Sequence, residues 1–204
     1  MKIICIGRNY KDHAAEMNSP VPSKPMFFMK PETSVHNNNL PYYLPTFTKD
    51  LHYELEITLR IDKMGKHIPE NKALSHVGSI GLGIDFTARD IQQQCKEKGH
   101  PWEVAKAFDG SAILSRNFLP FDAEMLDKGI SLRLEQNGQT VQDGSSKQML
   151  FDCAHLISYV SKFVTLKKGD MIMTGTPAGV GPVKQGDNLK GYFNNELLID
   201  LNIK

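Results

Sequence analysis

The chain has 204 residues, 40% apolar and 23% charged, and Lys+Arg 24 against Asp+Glu 23 leaves a formal charge of +1. A chain of this size forms about one domain and hides roughly 70% of its unfolded surface, so a full core is available. The balanced charge excludes the footprint of a nucleic-acid or anionic-membrane protein, and no apolar run approaches the ~18 residues that span a bilayer.

Residues 1–7, Met1-Lys2-Ile3-Ile4-Cys5-Ile6-Gly7, read as a short strand ending at glycine. The run is too short for a signal-peptide core and carries no Arg-rich transit pattern. Cys5, Cys95 and Cys153 form no C-x-x-C pair, which argues against a disulfide scaffold or a zinc knuckle. Both features predict a cytoplasmic protein.

Residues 9–17 read as a helix, with His13 and Glu16 at i and i+3 on one face. Prolines 20, 22 and 25 cannot continue it. The helix therefore sits beside a hinge-like loop and is either a lid or a plain surface turn. Residues 26–30 form a short apolar strand.

Residues 51–61 are the clearest strand. Leu51, Tyr53, Leu55, Ile57, Leu59 and Ile61 alternate with His52, Glu54, Glu56, Thr58 and Arg60. Glu54 and Glu56, at i and i+2, share a side roughly 7 Å apart. The pair is either a solvated outer face or half of a site for a hard divalent cation.

Residues 77–85 read as a Gly-containing strand ending at Asp85. Thr87 and Asp90 resemble a capping box opening a helix to residue 98, stopped by Gly99 and Pro101. Asp85 is either a functional side chain at a strand end or a turn residue. Arg89 either orients a carboxylate or faces water. Lys106, among aromatic neighbours, is either partly buried or a surface lysine.

Residues 131–142 read as a hairpin around Asn137-Gly138 in a type I′ turn. Residues 152–163 form an amphipathic helix, and residues 171–174 and 197–203 the last strands. Between those strands, Gly175-Thr176-Pro177-Ala178-Gly179-Val180-Gly181-Pro182 forms a rigid loop able to present backbone N–H groups. The sum is a mainly β fold with peripheral helices (α+β). A nucleophile elbow, a phosphate-binding loop, a dinucleotide fingerprint and a zincin His pair are all absent.

Taken in order, these segments resemble the fumarylacetoacetate hydrolase family. The matching pieces are Gly7-Arg8-Asn9-Tyr10, His13 with Glu16, Pro25 to Phe28, Lys30-Pro31, Tyr53-Glu54-Leu55-Glu56 and Asp85-Phe86-Thr87-Ala88-Arg89-Asp90. Trp102, Lys106-Ala107-Phe108-Asp109, Gly169-Asp170 and Thr174-Gly175-Thr176-Pro177 complete the set. It spans nearly the whole chain and looks most like the short acylpyruvase and oxaloacetate decarboxylase type.

The resemblance implies a rolled mixed β-sheet, one catalytic domain over residues 1–204 with residues 9–25 as a lid, and a homodimer. It implies one Mg²⁺ or Mn²⁺ held by Glu54, Glu56 and Asp85. It implies catalysis by His13, Glu16 and Lys106, and substrate binding by Arg89 and Thr176. The expected substrates are small 2-oxo or 2,4-dioxo acids, hydrolysed or decarboxylated at a carbon–carbon bond. The alternatives are an isomerase or decarboxylase of unsaturated dicarboxylates, such as 2-hydroxyhepta-2,4-diene-1,7-dioate, and a non-catalytic oxo-acid-binding module. One departure stands out. Related sequences reach a proline shortly after Lys106-Ala107-Phe108, and Ser111-Ala112-Ile113 has none.

Overall fold

The period-2 runs become strands of three sheets in a computed structural model, which describes residues 1–17, 20–36 and 40–204. The chain runs β1 (Lys2–Gly7), α1 (Lys11–Glu16), β2 (Met26–Pro31), β3 (Leu51–Tyr53), β4 (Leu55–Ile61), α2 (Glu70–Ala73), β5 (Val77–Asp85) and β6 (Thr87–Ala88). It continues through α3 (Arg89–Lys98), α4 (Glu103–Lys106), β7 (Ala112–Leu114), β8 (Leu119–Pro120), α5 (Ala123–Lys128), β9 (Ser131–Gln136) and β10 (Gln139–Ser145). Then come α6 (Cys153–Ser161), β11 (Met171–Met173), β12 (Gly181–Pro182), β13 (Asn188–Phe193) and β14 (Glu196–Asn202). The expected mainly β architecture with peripheral helices is what forms.

The largest sheet has the order β2-β1-β11-β4-β5-β7, with β8 also on β5. Strands β1 and β11 are parallel and the other pairs antiparallel, so the sheet is mixed. Both faces are covered. Ile4, Ile6, Ile57 and Leu59 join a core with Leu132, Leu134, Leu189 and Ile199 of the antiparallel sheet β10-β9-β13-β14. On the opposite face Ile3, Cys5, Met171 and Met173 pack with Ala112 and Leu114. Burial on two faces explains why Glu56 and Thr58 of β4 are buried and only Arg60 is exposed.

The predicted strand over residues 51–61 is broken. It leaves the small sheet β12-β3-β6 at Tyr53 and joins the large sheet at Leu55, with Glu54 at the crossing. The expected capping box does not form. Ala88 is the N-cap of α3, the Thr87 hydroxyl donates to Glu54, and Asp90 accepts from Thr48 and Lys49. The turn at Asn137 (φ 55°) and Gly138 (φ 81°) has the left-handed pair that a type I′ hairpin needs. Strand β13 went unread because Asn188, Lys190 and Gly191 interrupt its apolar residues. Of the lid segment 9–25, residues 18 and 19 lie outside the described residues.

Candidate active site

Register brings the acidic residues together. Leu55 pairs with Ile84 and Glu56 with Gly83, so Glu54 falls opposite Asp85, whose N–H donates to the Glu54 carbonyl at 2.9 Å. Carboxylate oxygens of Glu54, Glu56 and Asp85 lie within 4.8 Å of one another, and all three residues are buried. The solvated-face reading of the E-x-E pair is thereby overturned.

Three buried or half-buried cations surround this cluster. Lys106 Nζ donates to Glu54 Oε2 at 2.9 Å and to Asp85 Oδ2 at 2.8 Å. Arg89 donates to Glu54 Oε1 at 2.6 Å, and Thr87 donates to the same oxygen at 3.0 Å. Lys30, on β2, is fully buried with Nζ 2.8 Å from Asp85 Oδ1. Its three N–H groups, however, are directed at the carbonyls of Phe86, Lys106 and Ser111. Asp85 Oδ1 is left buried with no hydrogen-bond donor. An oxygen held so, beside two more carboxylates, fits a hard divalent cation.

Electrostatics separate the members. Burial pushes Glu54 up, but the charges of Lys106 and Arg89 outweigh it and hold it well below the usual carboxylate range. Burial, Asp85 and Glu54 push Glu56 well above that range, against one hydrogen bond from the Gly175 N–H at 2.7 Å. Burial would lower Lys106, but Asp85 and Glu54 hold it well above the lysine range. The two carboxylates thus hold Lys106 as an ammonium between them.

Gly175 has φ +97°, and a Cβ there would stand 2.7 Å from Asn9 Cβ. Only glycine brings that N–H onto Glu56. The loop after Lys106, without its expected proline, is tied by Ser111. Its hydroxyl donates to the Lys106 carbonyl at 2.8 Å, and its N–H donates to Phe108 O at 3.1 Å.

The predicted residues divide between the pocket and its support. His13 lines one pocket with Glu54, Asp85, Arg89 and Lys106. Its Nδ1 is 3.2 Å from Glu16 Oε2, leaving the other ring nitrogen unpaired with Glu16. Glu56 is not part of that pocket's lining. Nor is Thr176, whose hydroxyl donates to Leu55 O and accepts from Gln142 Nε2, both at 2.8 Å. The Thr176 hydroxyl proton is thus committed to the backbone. Sequence reasoning did not single out Lys30 or Thr87 as site residues. For Lys30 the available signal was a lysine closing an apolar strand.

Residues 2–196 match the model for the fumarylacetoacetate (FAA) hydrolase C-terminal family. The chain belongs to the fumarylacetoacetate hydrolase family. It is 44% identical over 188 residues to human "Oxaloacetate tautomerase FAHD1, mitochondrial", covering 92% of this chain and 85% of that one. It is 40% identical over 190 residues to "Oxaloacetate decarboxylase, mitochondrial" of Dictyostelium discoideum, covering 93% and 87%. Its fold is similar to that of fumarylpyruvate hydrolase from Pseudomonas aeruginosa, solved with Mn²⁺ and pyruvate. That match has a TM-score of 0.91 and 34% identity, over 100% of this chain and 90% of the other. Members of the family therefore run tautomerisation, decarboxylation and carbon–carbon hydrolysis on closely similar scaffolds.

Proposed function

We propose that the protein is a divalent-metal-dependent enzyme of small 2-oxo acids, acting at the carbon next to the keto group. Oxaloacetate is the leading substrate, by keto–enol tautomerisation and loss of CO₂. The observation that carries this reading is the buried Glu54–Glu56–Asp85 cluster with Asp85 Oδ1 left without a donor. Glu54, Glu56 and Asp85 would hold Mg²⁺, with Mn²⁺ as the substitute. When bound, the cation supplies Lewis acidity toward the oxygens of a 2-oxo acid.

The chain's own groups do the rest in this reading. Lys106 supplies a fixed positive charge beside the oxygen that becomes negative, in a site shielded from water. Arg89 holds Glu54, and Lys30 fixes the carbonyls around Lys106. His13, with Nδ1–H donated to Glu16, uses its other ring nitrogen to take a proton from the carbon next to the keto group and return it. Residues 9–25 would act as a lid over one catalytic domain.

A second reading, hydrolysis of acylpyruvates, is favoured by the same His13–Glu16 pair, since an activated water needs a base. Assembly as a homodimer rests on the family resemblance. Among the described residues no helix is long and apolar enough to cross a membrane. Metal-stripped protein assayed on oxaloacetate and acetylpyruvate, with and without added Mg²⁺, tests the proposal. Turnover unaffected by excess chelator would overturn it.

A further inference from the structure

Leu55 stands between Glu54 and Glu56, and side chains rather than a strand hold its outer edge. Strand β11 pairs with β4 only from Thr58 to Arg60. Toward Leu55 the Gly/Pro loop that follows β11 replaces it. The Thr174 N–H and hydroxyl donate to Ile57 O at 3.0 and 2.9 Å, and the Thr176 hydroxyl donates to Leu55 O at 2.8 Å. The Leu55 N–H donates to Gln142 Oε1 at 2.9 Å. The peptide joining Glu54 to Leu55 is thus fixed at both ends, since its carbonyl accepts from the Asp85 N–H at 2.9 Å.

Gln142 is 1% exposed, and both ends of its amide are engaged. Nε2 donates to Thr176 Oγ1 at 2.8 Å and to Pro177 O at 2.9 Å, which uses both of its hydrogens. One side chain therefore bridges β10, the strand of Glu54 and Glu56, and the Gly/Pro loop. That loop in turn presents the Gly175 N–H to Glu56 at 2.7 Å and the Gly179 N–H to Glu16 at 3.1 Å. Glu16 faces His13.

An irregularity in β10 aims this side chain inward. Thr140 pairs with Glu135 and Gln142 with Leu134, so Val141 is an extra residue, a β-bulge. Without it Val141 would stand opposite buried Leu134, and Gln142 would turn to the other face with Arg133. The bulge exchanges an apolar residue for an amide at a core position, which is costly unless every polar atom is matched. It also seats the loop. A Cβ on Gly179 would fall 2.1 Å from the Val141 carbonyl oxygen, and one on Gly144 2.7 Å from Pro177 Cβ.

We infer that Gln142 is a positioning residue for both halves of the site, setting Glu54 and Glu56 through Leu55 and the His13–Glu16 pair through the Gly/Pro loop. The inference rests on the proposed metal-dependent reading and adds to it a residue that does not line the pocket. Its consequence is that one substitution on β10 loosens the acidic cluster and helix α1 together.

The test compares wild type with Gln142→Met, which keeps the length of the side chain without its amide, and with Val160→Ala, a core substitution in α6 outside the site. Mn²⁺ affinity is read by calorimetry, and hydrogen exchange over residues 11–17 is read on the metal-free protein, both well below the melting range. Gln142→Met should bind Mn²⁺ about 10- to 100-fold more weakly. Its residues 11–17 should exchange at least about 10-fold faster. Val160→Ala should lower Tm and leave both quantities at their wild-type values. Either quantity unchanged in folded Gln142→Met, or equal changes in Val160→Ala, overturns the inference. If Gln142→Met does not fold, Gln142→Glu decides, because a carboxylate keeps the shape and the acceptor for Leu55 but loses both donors to the loop. Exchange over residues 11–17 should again rise, and an unchanged rate overturns the inference. Absence of Mn²⁺ binding in the wild type would instead count against the metal reading, and the exchange comparison, made without metal, still decides the role of Gln142.

Discussion

Glu16 accepts a hydrogen bond from the backbone N–H of Gly179, at 3.1 Å to Oε1, while its other oxygen faces His13 Nδ1 at 3.2 Å. One carboxylate thus orients the candidate base and ties α1 to the Gly/Pro loop that follows β11. In the proposed lid this contact would serve as a latch. Hydrogen exchange over residues 11–17 should slow when oxalate is added to the metal-loaded protein, because a closed lid excludes water. An unchanged exchange rate at saturating oxalate would count against closure.

Gly179 gives the latch a separate test. It has φ +96°, and a Cβ would fall 2.1 Å from the Val141 carbonyl oxygen. Gly179→Ala must therefore move the loop away from β10. Turnover should drop at least about 10-fold by misplacement of Glu16 and His13, with a smaller loss in Tm. Activity equal to wild type would show that the latch does not position His13.

The His13 role separates reactions that share one site. A general base contributes about 10² to 10⁴-fold. His13→Ala should lower acylpyruvate cleavage by that factor and spare metal-assisted loss of CO₂ from oxaloacetate by comparison. Both rates are to be measured on one preparation. Equal losses would mean that the pair is not specifically a water-activating base.

Much of this was legible in the sequence, for identifiable reasons. The strand of residues 51–61 showed in its period, and the Asn137-Gly138 turn in its dipeptide. The break at Glu54 did not show. A change of sheet is a tertiary event, and the alternation continues undisturbed across it. Burial of Glu56 was hidden for a related reason, because period 2 separates two faces but does not say that both are covered. Lys30 escaped because a buried lysine becomes plausible only when three carbonyls from distant segments converge on it. Thr87 looked like a helix cap because Asp90 follows at the right spacing, yet Glu54 competes for the hydroxyl and wins.

Asp170 makes the fold pH-dependent. It is buried and accepts from the Lys2 N–H at 3.1 Å, from the Lys167 N–H at 2.7 Å and from the Lys2 ammonium. Burial pushes its carboxyl up, but these donors outweigh it and hold it below its ordinary value of 3.8. A depressed carboxyl stabilises the fold above its unfolded value and loses that contribution as pH falls toward its folded value. Asp170→Asn should cost about 1–3 kcal/mol at pH 7. The gap to wild type should narrow below about pH 4. Urea unfolding at pH 7 and pH 3 reads it, and a gap independent of pH would refute the assignment.

The most direct test of the account is a Mn²⁺ titration of metal-stripped protein, read by calorimetry, for wild type, Asp85→Asn and Glu56→Gln. The account predicts one ion per chain in wild type and at least about 100-fold weaker binding in each variant, with unchanged far-UV circular dichroism, since carboxylates are the favoured ligands of such hard ions. Equal Mn²⁺ affinity in wild type and both variants would contradict it.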